Sequence, residues 1–281
     1  MEFVTLRNGV KMPIIGFGTW PLKGNILEKA IGYAYNAGCL LYDTANLYGN
    51  EADMGVSLKK ECLNRNSLFL TSKIDSRAFN GRRRYLYLDK KNVSKVYKKS
   101  CINAQIDYWD LYMLHSPFNN YIKAYGQLLS LYKKGEVRAI GVCNFDIPKL
   151  EIINQTFGEY PLVNQIELHP FNQQREMIAF CTKNKIQIEA FSPFTSGKAM
   201  KELLDNEILI GLAQKYSKNV CQIILRWITL LGICVIPKSS SKNHIEDNLN
   251  IFDFELTSDE MEMIQKLDRK ESFCNYKHVV V

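Results

Sequence analysis

The sequence is poor in the residues that build metal centres. Of 281 residues only four are histidine, and the eight cysteines show no CxxC spacing and no Cys/His pairing, so no zinc or other metal site is expected. Cys62, Cys101, Cys181, Cys221 and Cys234 stand in apolar helix or strand contexts, as reduced buried thiols do, and a reducing cytoplasm is the expected compartment. No apolar run is long enough to cross a bilayer, and Met1-Glu2-Phe3-Val4-Thr5 lacks the character of a secretory leader. Charge of one sign does not dominate either. The formal net charge is +7, and the one dense run is Gly81-Arg82-Arg83-Arg84, followed by Lys90-Lys91. A nucleic-acid surface needs a basic stripe with interleaved aromatics or a reader motif. Neither is present, and the run reads as a solvated loop that also attracts anions. The glycine-rich GxGxxG turn is missing too: Gly16-Phe17-Gly18-Thr19-Trp20 lacks the third glycine and the helix start, which argues against an open doubly wound sheet.

What is there is a repeat of short apolar strand, loop and helix of period near 3.6. A small hairpin comes first, Val4-Thr5-Leu6 and Val10-Lys11-Met12 about the turn Arg7-Asn8-Gly9, since Asn-Gly between alternating strands is a strong hairpin signal. Strands are then expected at 14–18, 40–42, 68–72, 111–114, 139–142, 162–166, 186–191 and 234–236. Helices are expected at 26–36, 50–63, 92–104, 122–133, 148–154, 175–183, 221–230 and 245–251, with Asn50 as an N-cap. A final amphipathic helix is expected at 258–267. Eight strands alternating with eight helices, with no linker, predict a single α/β domain over 1–281: a (β/α)8 TIM barrel with an N-terminal β-hairpin and an extra C-terminal helix.

In such a barrel the active site is built at the C-terminal ends of the strands. Those ends hold Asp43, Lys73, His115, Asn144, Gln165, Ser192 and Lys238, all polar and all at one rim. Five residues after Asp43 comes Tyr48. Singly, Asp43 and Lys73 read as well as a buried ion pair, and Tyr48 as a core aromatic. Together an acid, a phenol, an amine and an imidazole on three successive strands make a catalytic set.

Val4-Thr5-Leu6-Arg7-Asn8-Gly9-Val10-Lys11-Met12-Pro13, Asp43-Thr44-Ala45 through Tyr48-Gly49-Asn50-Glu51, and Gly141-Val142-Cys143-Asn144-Phe145 resemble the aldo-keto reductases. So do Asn164-Gln165-Ile166-Glu167-Leu168-His169-Pro170 and Ile236-Pro237-Lys238-Ser239. The resemblance implies reduction of aldehydes and ketones, with hydride from a nicotinamide and the proton from Tyr48. Lys73 and Asp43 would tune Tyr48, the lysine ammonium lowering the phenol's pKa, and His115 would orient the carbonyl. It implies a cofactor lying across the barrel mouth: Thr19 and Ser192 near it, Cys143, Asn144 and Gln165 on the carboxamide, and Phe191 stacked on the ring. Lys238, Ser239, Ser240 and Ser241 would take the 2′-phosphate at a helix N-terminus, with Asp247 and Asn248 at the adenine. Where NADP-preferring members usually have arginine this chain has His244, which lacks the guanidinium fork. NADPH is therefore expected, with NADH as a weaker alternative.

For the substrate, the resemblance implies walls at Trp20, Tyr48, His115, Asp75 and Ser116. The last two replace tryptophans frequent in the family. Asp75 either repels anionic carbonyls or points to solvent. The segment 76–91 is longer than the family norm and reads as a solvated excursion, or else a lid. His169 reads as structural, and His278 lies in the tail. The expected protein is a monomer acting on a small carbonyl compound, with no nucleic-acid or membrane partner. A second class stays open: a cofactor-binding sensor or regulatory subunit on the same barrel with little turnover.

Overall fold

The structure is a computed structural model that describes residues 2–61, 63–74 and 93–274. Asp75, the basic segment 76–91 and His278 lie outside the described residues.

Strands β1 (Phe3–Thr5) and β2 (Lys11–Pro13) pair antiparallel with Thr5 opposite Lys11, and Gly9 takes the turn at φ +85°. Leu6 and Met12 from this hairpin join the barrel's interior cluster and close its floor. Eight parallel strands follow, each hydrogen-bonded to its sequence neighbour. They are β3 (Phe17–Gly18), β4 (Leu41–Asp43), β5 (Phe69–Ile74), β6 (Leu111–Leu114), β7 (Ala139–Cys143), β8 (Val163–Glu167), β9 (Gln187–Phe191) and β10 (Cys234–Val235). Ile15 bridges Val235, and Gly18 N–H donates to Pro237 O at 2.9 Å, so the first and last strands meet and the barrel closes.

The surrounding helices are α1 (Gly24–Asn36), α2 (Glu51–Lys60), α3 (Val93–Ala104), α4 (Tyr121–Lys133), α5 (Ile147–Phe157), α6 (Arg175–Lys183), α7 (Gly197–Leu204), α8 (Glu207–Tyr216), α9 (Val220–Leu230), α10 (Lys242–Leu249) and α11 (Ser258–Gln265). Side chains alternate between the faces of a strand. Here both faces are buried: Leu41, Phe69, Leu111, Met113, Val163 and Cys234 fill the barrel, while Tyr42, Leu70, Tyr112, Ile140, Ile188 and Val235 pack under the helices.

Two expectations need correction. Helices α7 and α8 stand between β9 and α9, where the sequence pattern predicts no helix. Asn50 stands at the start of α2 but does not cap it with its side chain. Its carboxamide is turned inward, donating to Thr19 Oγ1 at 3.1 Å and Leu22 O at 3.0 Å and accepting from Thr44 Oγ1 at 2.6 Å. Buried partners outbid the helix end, because an unpaired buried amide costs more than an exposed cap contributes.

The last helix is pinned by Glu260. It forms a capping box with Thr257, accepting from Thr257 N at 2.8 Å, and takes Lys215 Nζ and Tyr216 Oη at 2.6 Å each. Burial pulls this carboxyl up, but the bonds from Lys215, Tyr216 and Thr257 outweigh it and hold it down to about 2. A depressed folded value stabilises the fold above the unfolded carboxyl value of about 4.3, and that contribution is lost as pH falls toward 2. Glu260→Gln is expected to cost ~1–2 kcal/mol at pH 7. The gap to wild type in urea midpoints should shrink between pH 4.5 and 2; a constant gap there would refute this account.

Candidate active site

The interior alternation of the strands explains how the mouth becomes polar. On the inward face Leu41 is followed two residues later by Asp43, Thr71 by Lys73, Met113 by His115 and Val163 by Gln165. The strands end as they reach the rim, so the last inward side chains meet around one opening.

At the base of this opening Lys73 Nζ donates to Asp43 Oδ1 at 2.5 Å and to Thr44 O at 2.9 Å, and both side chains are buried. Gln165 Nε2 donates to the other oxygen, Asp43 Oδ2, at 3.1 Å. Burial pulls the Lys73 ammonium down, yet the charge of Asp43 and the hydrogen bond to it together hold it above its ordinary value. The pair is therefore an ion pair whose carboxylate oxygens are both satisfied.

Tyr48 closes the 3-10 turn Asn46–Tyr48, which Gly49 ends in the left-handed region at φ +65°. The turn leads into Asn50, whose bonds to Thr19, Leu22 and Thr44 tie it to the rim. The Tyr48 ring is half-buried, 5.0 Å from the Trp20 ring and 5.5 Å edge-on from His115. Lys73 Nζ lies 5.3 Å from the ring centroid. The Lys73 ammonium lowers the phenol pKa as expected, but it does not set the net direction. Burial pushes Tyr48 up to about 12, against the Lys73 ammonium that pulls it down.

Above these residues is a cleft of about 530 Å³. It is lined by Thr19, Trp20, Asp43, Tyr48, His115, Asn144, Gln165, Phe191, Ser192 and Lys238 among the residues expected there. Asn144 and Ser192 hold left-handed backbone at φ +60° and +51°, a costly conformation for Ser in particular and one that clusters at functional sites. Cys143 is buried just beneath, its Sγ 3.8 Å from Gln165 Oε1. Ser116 is buried and is not among the lining residues. Ser239, Ser240, Ser241, His244, Asp247 and Asn248 follow Lys238 into α10 and are not among the residues lining the cleft. His244 is exposed, Asn248 is buried, and Asp247 accepts from Asn219 Nδ2 at 3.1 Å.

Sequence reasoning missed the far wall. Phe194, Thr195, Gly197 and Met200, from the loop after β9 and the start of α7, line the cleft, as does Cys274. Cys274 is brought there by Glu167 at the end of β8. That carboxylate accepts from Phe273 N at 2.8 Å, Cys274 N at 3.2 Å and the Ser272 hydroxyl, and pairs with His169 Nε2 at 3.1 Å. Burial raises Glu167, but the bonds from His169, Ser272 and Phe273 outweigh it and hold the carboxyl below its ordinary range.

A family model described as "Aldo/keto reductase family" matches residues 14–269. The glyoxal reductase of Bacillus subtilis (strain 168) is 38% identical over 272 residues, covering 96% of this chain and 94% of that one. The methylglyoxal reductase DkgA of Escherichia coli (strain K12) is 37% identical, covering 95% and 93%. Among solved structures, MGS-M4, an aldo-keto reductase from a Medee basin deep-sea metagenome library, superposes with a TM-score of 0.87 at 33% identity, covering 97% of each chain. A mutant of Gox0644 in complex with NADPH gives 0.85 at 32% identity, covering 96% and 94%. A closed (β/α)8 barrel with a polar cleft at its C-terminal rim is the architecture of a barrel enzyme. This chain belongs to the aldo/keto reductase family and is an oxidoreductase. Among its described residues no helix is long and apolar enough to cross a membrane.

Proposed function

We propose that the protein reduces small aldehydes and ketones to alcohols with NADPH. The convergence of Tyr48, His115 and the Lys73–Asp43 pair at the cleft floor carries this reading. The donor set at the mouth fits the cofactor. Asn144 and Gln165 offer amides for a carboxamide, Phe191 offers an aromatic face, and Lys238 offers a cation. Ser241 leaves the N-terminus of α10 without a side-chain cap, so its first N–H groups are available to a phosphate beside Ser239 and Ser240. When bound, NADPH supplies the hydride.

The chain's own part is to manage charge and a proton. As the carbonyl oxygen gains negative charge, the Tyr48 hydroxyl donates its proton to that oxygen, and a His115 ring N–H directed at it stabilises the developing alkoxide. The Lys73 ammonium, kept charged by Asp43, stabilises the phenolate left behind. A phenol pushed up to about 12 stays protonated at neutral pH, so the donor is loaded before the substrate arrives. Trp20, Phe194 and Met200 supply apolar walls. The relatives named for glyoxal and methylglyoxal support small 2-oxoaldehydes as the first substrates to assay.

The test is oxidation of NADPH and NADH at 340 nm with methylglyoxal, glyoxal and a neutral aromatic aldehyde. Turnover with NADPH exceeding NADH is expected, and His244→Arg should widen that preference by about tenfold through a bidentate phosphate contact. Tight NADPH binding without turnover on any carbonyl would instead favour the sensor reading.

A further inference from the structure

Glu189 is a fully buried carboxyl to which the proposed chemistry assigns no part. It stands in β9 two residues before Phe191, so it faces the barrel interior directly below the cleft. In register it is opposite Gln165 on β8 and Cys234 on β10. Its Oε2 accepts from Gln165 Nε2 at 2.6 Å, and its Oε1 has no partner among the described residues. Gln165 Nε2 also donates to Asp43 Oδ2 at 3.1 Å. A carboxamide nitrogen carries two hydrogens. Both are therefore taken by carboxyl groups inside the barrel, and the end of Gln165 left for the cleft is its carbonyl oxygen, which takes the Cys143 thiol at 3.8 Å on one lone pair and keeps the other.

We propose that Glu189 is a positioning residue: with Asp43 it fixes the Gln165 amide so that only a hydrogen-bond acceptor faces the nicotinamide carboxamide. This rests on the nucleotide reading above. Gln165 then accepts from the carboxamide N–H and rejects its carbonyl, so one rotamer of the carboxamide is selected. Without Glu189 the Gln165 amide has one inward acceptor, at Asp43, so turning its N–H groups toward the cleft leaves one buried carboxyl oxygen unpaired instead of two. The charged groups around Glu189 act on its proton. Burial, then the Asp43 carboxylate from β4, push it up to about 8; the Gln165 bond and the Lys73 ammonium from β5 pull it back. Cys234 on β10 and Cys143 on β7 complete the interior at this level, and burial holds the Cys234 thiol far above its ordinary value, so it stays neutral.

The experiment compares NADP+, its 3-acetylpyridine analogue and 2′,5′-ADP. The analogue replaces the carboxamide by an acetyl group and so has no N–H to give; 2′,5′-ADP has no nicotinamide at all. Dissociation constants would be measured by quenching of intrinsic fluorescence for wild type, Glu189→Gln, Glu189→Leu and Glu189→Met. Wild type should bind NADP+ about tenfold more tightly than the analogue, one hydrogen bond's worth. The Leu and Met variants should bring that ratio within about twofold of unity, with 2′,5′-ADP unchanged. Glu189→Gln, which keeps a carbonyl acceptor for Gln165, should hold the wild-type ratio. A purely structural role would weaken all three ligands together and leave the ratio alone. An unchanged ratio in the Leu or Met variant therefore overturns the proposal. Wild type that binds neither NADP+ nor 2′,5′-ADP would overturn the nucleotide reading itself.

Discussion

Tyr48→Phe is expected to lower kcat for carbonyl reduction by about 10²–10⁴-fold while leaving the dissociation constant for NADPH within about twofold. The substitution removes one oxygen and keeps the ring, so the packing against Trp20 at 5.0 Å and against His115 at 5.5 Å survives. If Tyr48 served only as an aromatic wall, phenylalanine would do the same work, and kcat would fall by less than tenfold. The pH profile separates the readings further. Burial pushes the phenol up to about 12, so the donor is protonated over the whole neutral range. Reduction should then be flat through pH 6–9 as far as Tyr48 is concerned, and fall only as pH approaches the phenol's value. Alcohol oxidation, which needs the phenolate, should rise over the same alkaline window. Steady-state rates in both directions, with nucleotide binding measured by fluorescence, check this. A Tyr48→Phe enzyme that keeps more than a tenth of the wild-type kcat would remove the phenol from the mechanism.

Much of this site was legible in the sequence, for a definite reason. In a parallel barrel both faces of each strand are buried, so strands read as apolar runs. The polar residue that ends each run, Asp43, Lys73, His115 or Gln165, marks the rim without help from tertiary structure. Strand and helix positions followed from the same contrast, and β6 and α6 fall at the expected residues. The misses have physical causes too. Helix α8 has a local signal in the sequence: Asn206 accepts from Ile208 N at 3.1 Å and Leu209 N at 3.3 Å, an N-cap ahead of an apolar run. Asn50 was a good cap by type, but buried acceptors 28 and 31 residues away claimed its amide. The tail's return to the cleft depends on Glu167 holding Ser272, 105 residues distant, and no local pattern encodes that contact. The sign of the Tyr48 shift was missed because a nearby lysine can be read from sequence and the depth of burial cannot.

Lys73→Met should be the most destabilising of the single substitutions considered. It removes the cation and leaves Asp43 charged or forced to protonate in a fully enclosed position, with Gln165 its remaining side-chain donor. Breaking a buried pair on one side costs about 3–5 kcal/mol. The double variant Asp43→Leu/Lys73→Met removes both charges, and should recover most of that loss without recovering turnover, since neither the proton donor's tuning nor the charge behind it returns. The pH dependence has a required sign. Lys73 has a folded pKa above its unfolded value, so its contribution is complete below about pH 10.4 and is lost as pH rises through the higher folded value. Wild type should therefore lose stability more steeply on that alkaline limb than both Lys73→Met proteins, which keep only the loss from buried phenols such as Tyr48. In the single variant the unpaired Asp43 carboxyl is raised by burial, so its penalty grows as pH climbs above about 3.9. The gap between single variant and wild type should accordingly narrow on acidification. Urea unfolding of the three proteins from pH 4 to 11, with kcat in parallel, resolves stability from catalysis. A single variant within ~1 kcal/mol of wild type that still turns over would mean that Lys73 is neither the partner Asp43 needs nor the cation Tyr48 uses.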